Sequence, residues 1–164
     1  MKFIVSSTAL FSHLQAISRV INSKNSLPIL DCFLIELQDG TLSMTASDNE
    51  TTLSTSIEVS DYEEDGRFAV SSKTLLEALK EIPEQPLSFQ INSSNLEITV
   101  QYQNGKYSLM GQSADEFPQL TQLGDNAVID RIIQNLFLPD SGRLFVGKCN
   151  HSRLVSFLQR VFPE

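Results

Sequence analysis

"FAVSSKTLLEALKEI" (Phe68–Ile82) decides the fold, because the chain has already said nearly the same thing as "FIVSSTALFSHLQAI" (Phe3–Ile17). Displaced by 65 positions, Phe3, Val5, Ser6, Ser7, Leu10, Leu14 and Ile17 fall on Phe68, Val70, Ser71, Ser72, Leu75, Leu79 and Ile82. In each copy a short apolar stretch precedes two serines, either of which can accept a free N–H at a helix start. Leucines and isoleucines at helical spacing follow, with Ile21 extending the first stripe. Thr74 and Glu77 have the spacing of a capping box in the second copy.

Outward from these stretches the copies stay parallel. "NSKNSLP" (Asn22–Pro28) ends the first helix, and Pro83 and Pro86 end the second. Three strands are predicted after each. In the first copy they are Ile29–Leu37, "TLSMTA" after Asp39-Gly40, and "TTLSTSIEV" after "SDNE". In the second copy they are Leu87–Ile91, Leu96–Gln103 and Lys106–Gln112, the last two separated by Asn104-Gly105, a strong hairpin signal. The unit is strand, helix, three strands, and its period is too long for a common solenoid. Each helix has one apolar stripe to bury against a sheet. The expected fold class is α+β: a duplicated β-α-β-β-β unit with two helices on one side of two antiparallel sheets. Residues 1–124 form this domain, with repeats at about 1–62 and 66–120. Residues 125–164 fit neither copy. Apolar spacing at Val128–Leu136 and Leu154–Val161, around the turn at Pro139–Gly142, predicts a helical appendage.

The 164 residues carry a net charge of −8, unevenly spread. Residues 1–124 hold 7 basic and 16 acidic side chains, and residues 125–164 hold 5 and 4. An acidic chain repels nucleic acid on average, so a DNA contact here must rest on a few placed cations. Those near the helices are Arg19, Lys24, Lys73 and Lys80, the last flanked by Glu77 and Glu81. No apolar run is long enough for a membrane helix. The serine-broken N-terminus, whose pattern recurs internally, is not expected to be a secretory leader. Two cysteines, Cys32 and Cys149, imply no disulfide framework and point to a cytoplasmic location. The Asn-x-Ser/Thr triplets at Asn49, Asn92 and Asn150 then carry no meaning.

Motifs for catalysis are weak. "GRLFVGK" (Gly142–Lys148) ends in Gly-Lys, but Cys149 follows it where a phosphate loop needs a Ser or Thr. Cys149 and His151 are two ligands where zinc needs three or four. No serine sits in a nucleophile elbow. Asp31, Asp48 and Glu50 read as turn carboxylates. The expectation is a non-enzymatic protein without cofactor or metal.

"MKFIV", "SLPIL" (Ser26–Leu30), "DGTLSMTASDNE" (Asp39–Glu50), "FAVSSKTLLEALKEIP" and "YSLMGQSADEFPQL" (Tyr107–Leu120) together resemble the N-terminal domain of bacterial sliding clamps, the beta subunits of DNA polymerase III. The resemblance covers residues 1 to about 124, in order. It implies the DNA-clamp (processivity) fold, in which duplicated domains form a ring around duplex DNA and tether the polymerase without catalysing anything. It implies phosphate contacts at Lys24 and Lys73, which position without reading sequence. It implies a subunit interface at Lys106 and Leu109, with Leu109 as an apolar contact. The partners implied are double-stranded DNA, bound weakly and without sequence preference, other clamp domains or full-length clamp, and polymerase and clamp-loader subunits. The family's peptide-binding cleft lies between its second and third domains and is expected to be missing, because this chain is far shorter than a clamp subunit. A truncated paralogue that pairs with full-length clamp, as a non-enzymatic interaction module, is the alternative expectation.

Overall fold

The computed structural model describes residues 1–21, 25, 27–48, 51–59, 61–118 and the strand 143–146. Strand β1 (Lys2–Ser6) leads into helix α1 (Ser7–Ser18). Ser6 is the N-cap, its hydroxyl accepting the Ala9 N–H at 3.5 Å. A 3₁₀ turn (Pro28–Asp31) takes the start of the run expected to be strand, because Pro28 pre-sets a helical φ there. Then come β2 (Cys32–Gln38), β3 (Thr41–Ser47) and β4 (Thr52–Glu58). Asp39 and Gly40, with φ of +48° and +76°, make the predicted turn between β2 and β3.

A two-residue strand, β5 (Tyr62–Glu63), precedes the second copy. That copy runs β6 (Gly66–Ser71), α2 (Ser72–Lys80), β7 (Pro86–Ile91), β8 (Glu97–Tyr102) and β9 (Gly105–Gln112). Ser71 caps α2 as Ser6 caps α1, accepting from the Thr74 N–H. The cap is therefore not Thr74, which sits three residues inside the helix, and the capping box with Glu77 does not form.

The copies exchange their first strands. β1 pairs antiparallel with β7, with Phe3 opposite Phe89, and β6 pairs antiparallel with β2, with Phe33 opposite Val70. This gives β4-β3-β2-β6 and β9-β8-β7-β1, and a short pairing of Ala69 and Val70 with Gln112 and Gly111 joins them. The two expected sheets are thus continuous at one seam. Gly111 permits it: a Cβ there would lie 2.9 Å from the Leu96 carbonyl oxygen and 3.3 Å from that of Ala69. At the equivalent seam β1 and β4 do not pair. They flank a cleft of about 660 Å³ lined by Ile4, Val5, Ile57, Glu58, Asp61 and Glu84 among others. β5 covers only the start of the β1 edge.

One core is built from both copies. Leu10, Leu14 and Ile17 of α1 and Leu75 and Leu79 of α2 are buried with Phe33, Ile35, Leu42, Met44, Phe68 and Val100. The Phe3 and Phe89 rings stack with centroids 5.0 Å apart. α1 touches α2, β3 and β4, and α2 touches β2 and β6, so the two helices share one side. Ile21 lies beyond the end of α1 and is only partly buried. A satellite cluster of Ile29, Leu30, Cys32, Leu34, Ala69, Ala114 and Phe117 packs beneath the 3₁₀ turns Pro28–Asp31 and Ala114–Glu116.

The described part of the tail, β10 (Arg143–Val146), is a strand on the outer edge of β4, where the sequence reading expects a helical appendage. Leu, Phe and Val favour an extended backbone when a sheet edge offers pairing. The helices expected at Val128–Leu136 and Leu154–Val161 lie outside the described residues.

Candidate nucleic-acid interface

The helical layer differs in charge from the rest of the domain. α1 reads STALFSHLQAIS and carries no acid and no Lys or Arg, exposing Thr8, Ser12 and Gln15. α2 reads SKTLLEALK and exposes Lys73, Glu77 and Lys80. Among the described acidic residues, Glu77 alone lies within α1 or α2, with Glu81 at the C-cap of α2. The other described acids fall on strands, 3₁₀ turns and loops.

Lys73 sits in the first turn of α2 and is exposed. A cation there opposes the positive end of the helix macrodipole, so the position is not chosen for helix stability. The same end presents backbone N–H groups, a ready anion site when a cation stands beside them. Lys80 occupies the last turn, where its charge suits the dipole, and Arg19 caps the end of α1. The ion pairs formed among the described residues involve Lys2, Arg67 and the N-terminal amine. None uses Arg19, Lys73, Lys80 or Lys106. Lys24, the other predicted phosphate contact, lies outside the described residues.

Lys106 and Leu109 are both on β9 but differ in kind. Lys106 is exposed opposite Gln101, whereas Leu109 is 7% exposed, faces Ile98 and belongs to the core. The Leu109 side chain is thus occupied within the chain, leaving its backbone edge for a neighbour. The exposed apolar groups on this strand are Tyr107 (43%) and Met110 (67%), which sequence reasoning passed over. Tyr107 shares Leu109's face opposite Val100, but lies nearer the turn of the hairpin. Because β6 takes only Gly111 and Gln112, the outer edge of β9 over residues 105–110 has no partner strand among the described residues.

Two groups with reactive chemistry are structural. His13 is buried on α1 with Nδ1 2.6 Å from the Thr55 hydroxyl, and burial lowers its pKa. Cys32 is buried in the satellite cluster; burial, and secondarily the charge of Asp31, raises its thiol pKa. Among the described residues no group of three or more His, Cys, Asp and Glu could hold a metal ion. Cys149 and His151 lie outside the described residues.

A doubled strand–helix–three-strand unit, with exchanged first strands and adjacent helices on one side, defines a DNA-clamp domain. The comparisons with known proteins agree. The chain belongs to the family of DNA polymerase III beta subunits, whose N-terminal-domain model matches residues 1–121. The beta sliding clamp of Buchnera aphidicola subsp. Acyrthosiphon pisum is 33% identical over 119 residues, 72% of this chain and 32% of that relative. The beta sliding clamp of Vibrio harveyi is 28% identical over 121 residues, 73% of this chain and 82% of that sequence. The Bacillus subtilis sliding clamp structure superposes with a TM-score of 0.71 at 23% identity, over 76% of this chain and 34% of that one. The matched region thus spans about a third of the length of the first curated relatives it resembles.

Proposed function

We propose that this chain is a non-catalytic sliding-clamp domain of DNA replication that contacts duplex DNA weakly, without sequence preference, through its helical side. The carrying observation is the near-exclusion of acids from that side in an acidic domain, with Lys73 unpaired among the described residues at the start of α2. A clamp must hold DNA and still slide. Each neutralised phosphate adds salt-dependent affinity, so a few cations suit the task better than a basic field. Lys24 joins Lys73 in this reading, both as point charges without the bidentate fork of arginine. Membership of the family supports a place for this domain alongside polymerase and clamp-loader subunits, with the peptide-binding cleft expected to be missing here, and a cytoplasmic setting suits that work. Among the described residues no helix is long and apolar enough to cross a membrane.

The open β9 edge favours a second reading, pairing with other clamp domains or with full-length clamp. Lys106, the backbone at Leu109, and the exposed Tyr107 and Met110 would supply that interface. Retention on circular and linear duplex, measured at several salt concentrations with and without full-length clamp, separates the two. Retention on circles with loss from linear ends supports a ring. Loss from both, with stable capture of full-length clamp, supports the pairing module and removes the DNA role.

A further inference from the structure

β4 and β9 hold equivalent places as the last strands of the two copies, yet their outer edges differ. The β9 edge is unpaired over residues 105–110 among the described residues. The β4 edge is taken by β10, with Arg143 opposite Ser56, Leu144 opposite Thr55, Phe145 opposite Ser54 and Val146 opposite Leu53. An uncovered edge is a row of free N–H and C=O groups that templates another strand.

Two copies of this chain offer each other matching edges. Laid antiparallel, the C-terminal end of β4, with exposed Glu58, meets the N-terminal end of β9, with exposed Lys106. Such a contact is head-to-tail, and it repeats from copy to copy until it closes or runs on as a filament. We propose that β10 is an edge cap that the chain donates to itself, keeping the β9 strand of a second copy off β4. The cap is four residues against a seven-residue β4, so it covers the edge without replacing the full pairing a second copy would provide. The proposal is independent of the DNA reading.

Hydrogen exchange on the 164-residue chain tests it directly. With β10 in place, every amide from Leu53 to Ser56 exchanges slowly. In the variant carrying Leu144→Pro and Phe145→Pro, alternate β4 amides exchange at least about tenfold faster while β2 and β7 stay protected, since adjacent prolines remove whichever N–H faces β4. Light scattering then shows the variant's mass rising with concentration, and adding Lys106→Glu reverses the rise. Fast alternate β4 amides in the parent overturn the proposal even if the variant fails to fold. A folded variant whose mass follows the parent's at every concentration overturns it as well.

Discussion

Ser7 and Ser72, the second serine of each pair, explain why the chain repeats two hydroxyls where one cap suffices. Ser7 Oγ donates to the Pro83 carbonyl at 3.0 Å and accepts the Gln85 N–H at 3.0 Å. Ser72 Oγ donates to the Asp31 carbonyl at 2.7 Å. Each ties the start of one helix to the segment entering the other copy's sheet. Ser72→Ala is expected to cost about 1 kcal/mol, the net worth of one hydrogen bond. Ser7→Ala is expected to cost more, about 2 kcal/mol, because it also strands a buried N–H. Urea unfolding of both variants checks the order. The capping role was legible only as a choice between neighbours. The inter-copy role was not, because its partners lie 76 and 41 residues away, beyond any local pattern. Leu109 escaped for a related reason: the residues around it on β9 are mostly exposed, so alternation did not mark it as inward.

His13 adds a pH dependence at the same scale. The groups packed around it are the Thr55 hydroxyl, its hydrogen-bond partner, and the apolar core. Burial lowers its pKa below the ordinary value of about 6.5, so the folded state prefers the neutral ring. Its stabilising contribution is fully present above about pH 6.5 and is lost as pH falls through the depressed folded value, because the unfolded chain takes up the proton first. The urea midpoint should therefore fall as pH drops below about 6.5. In His13→Gln that fall should flatten. An unchanged slope assigns the effect to other groups.

At the scale of elements, the hairpins and helices were the most legible parts, since Asp39-Gly40, Asn104-Gly105 and the two leucine stripes act within a few residues. β5 is two residues long and gives no periodic signal. The β6–β9 seam was invisible because it depends on Gly111 meeting two backbone oxygens, one from Leu96 just before β8 and one from Ala69 on β6. Gly111→Ala is expected to destabilise the domain by about 1–3 kcal/mol, since backbone must shift to admit the methyl. Gly105→Ala is the control. Its Cβ would meet the hydroxyl end of the partly buried Tyr102 side chain at 3.0 Å, and a side-chain tip yields more easily than backbone, so its cost should be smaller. Comparable losses in the two variants on thermal unfolding would show that the seam has no special constraint.

The described domain is built around one shared core from two copies that are incomplete alone. β1 belongs to the sheet of the second copy and β6 to that of the first, so cutting between them removes a strand from each. This exchange could not be read from the repeat itself, which fixes the order of elements and not their partners. The helical side, in contrast, was readable as a charge pattern, and it sets the last prediction. Lys73 stands where a negative charge would stabilise α2 by about 0.3–1 kcal/mol through the macrodipole. Lys73→Glu should therefore unfold at the same or a higher temperature than the parent while binding duplex DNA more weakly. Lys73→Gln, which removes one phosphate contact, should lower the log–log salt slope of duplex binding by about 0.9. Local damage would instead reduce stability and leave the slope where it was, so the two measurements together decide whether Lys73 faces DNA. If duplex affinity and slope in both variants match the parent's, the cation on α2 is ordinary surface and the helical side is not where this domain meets DNA.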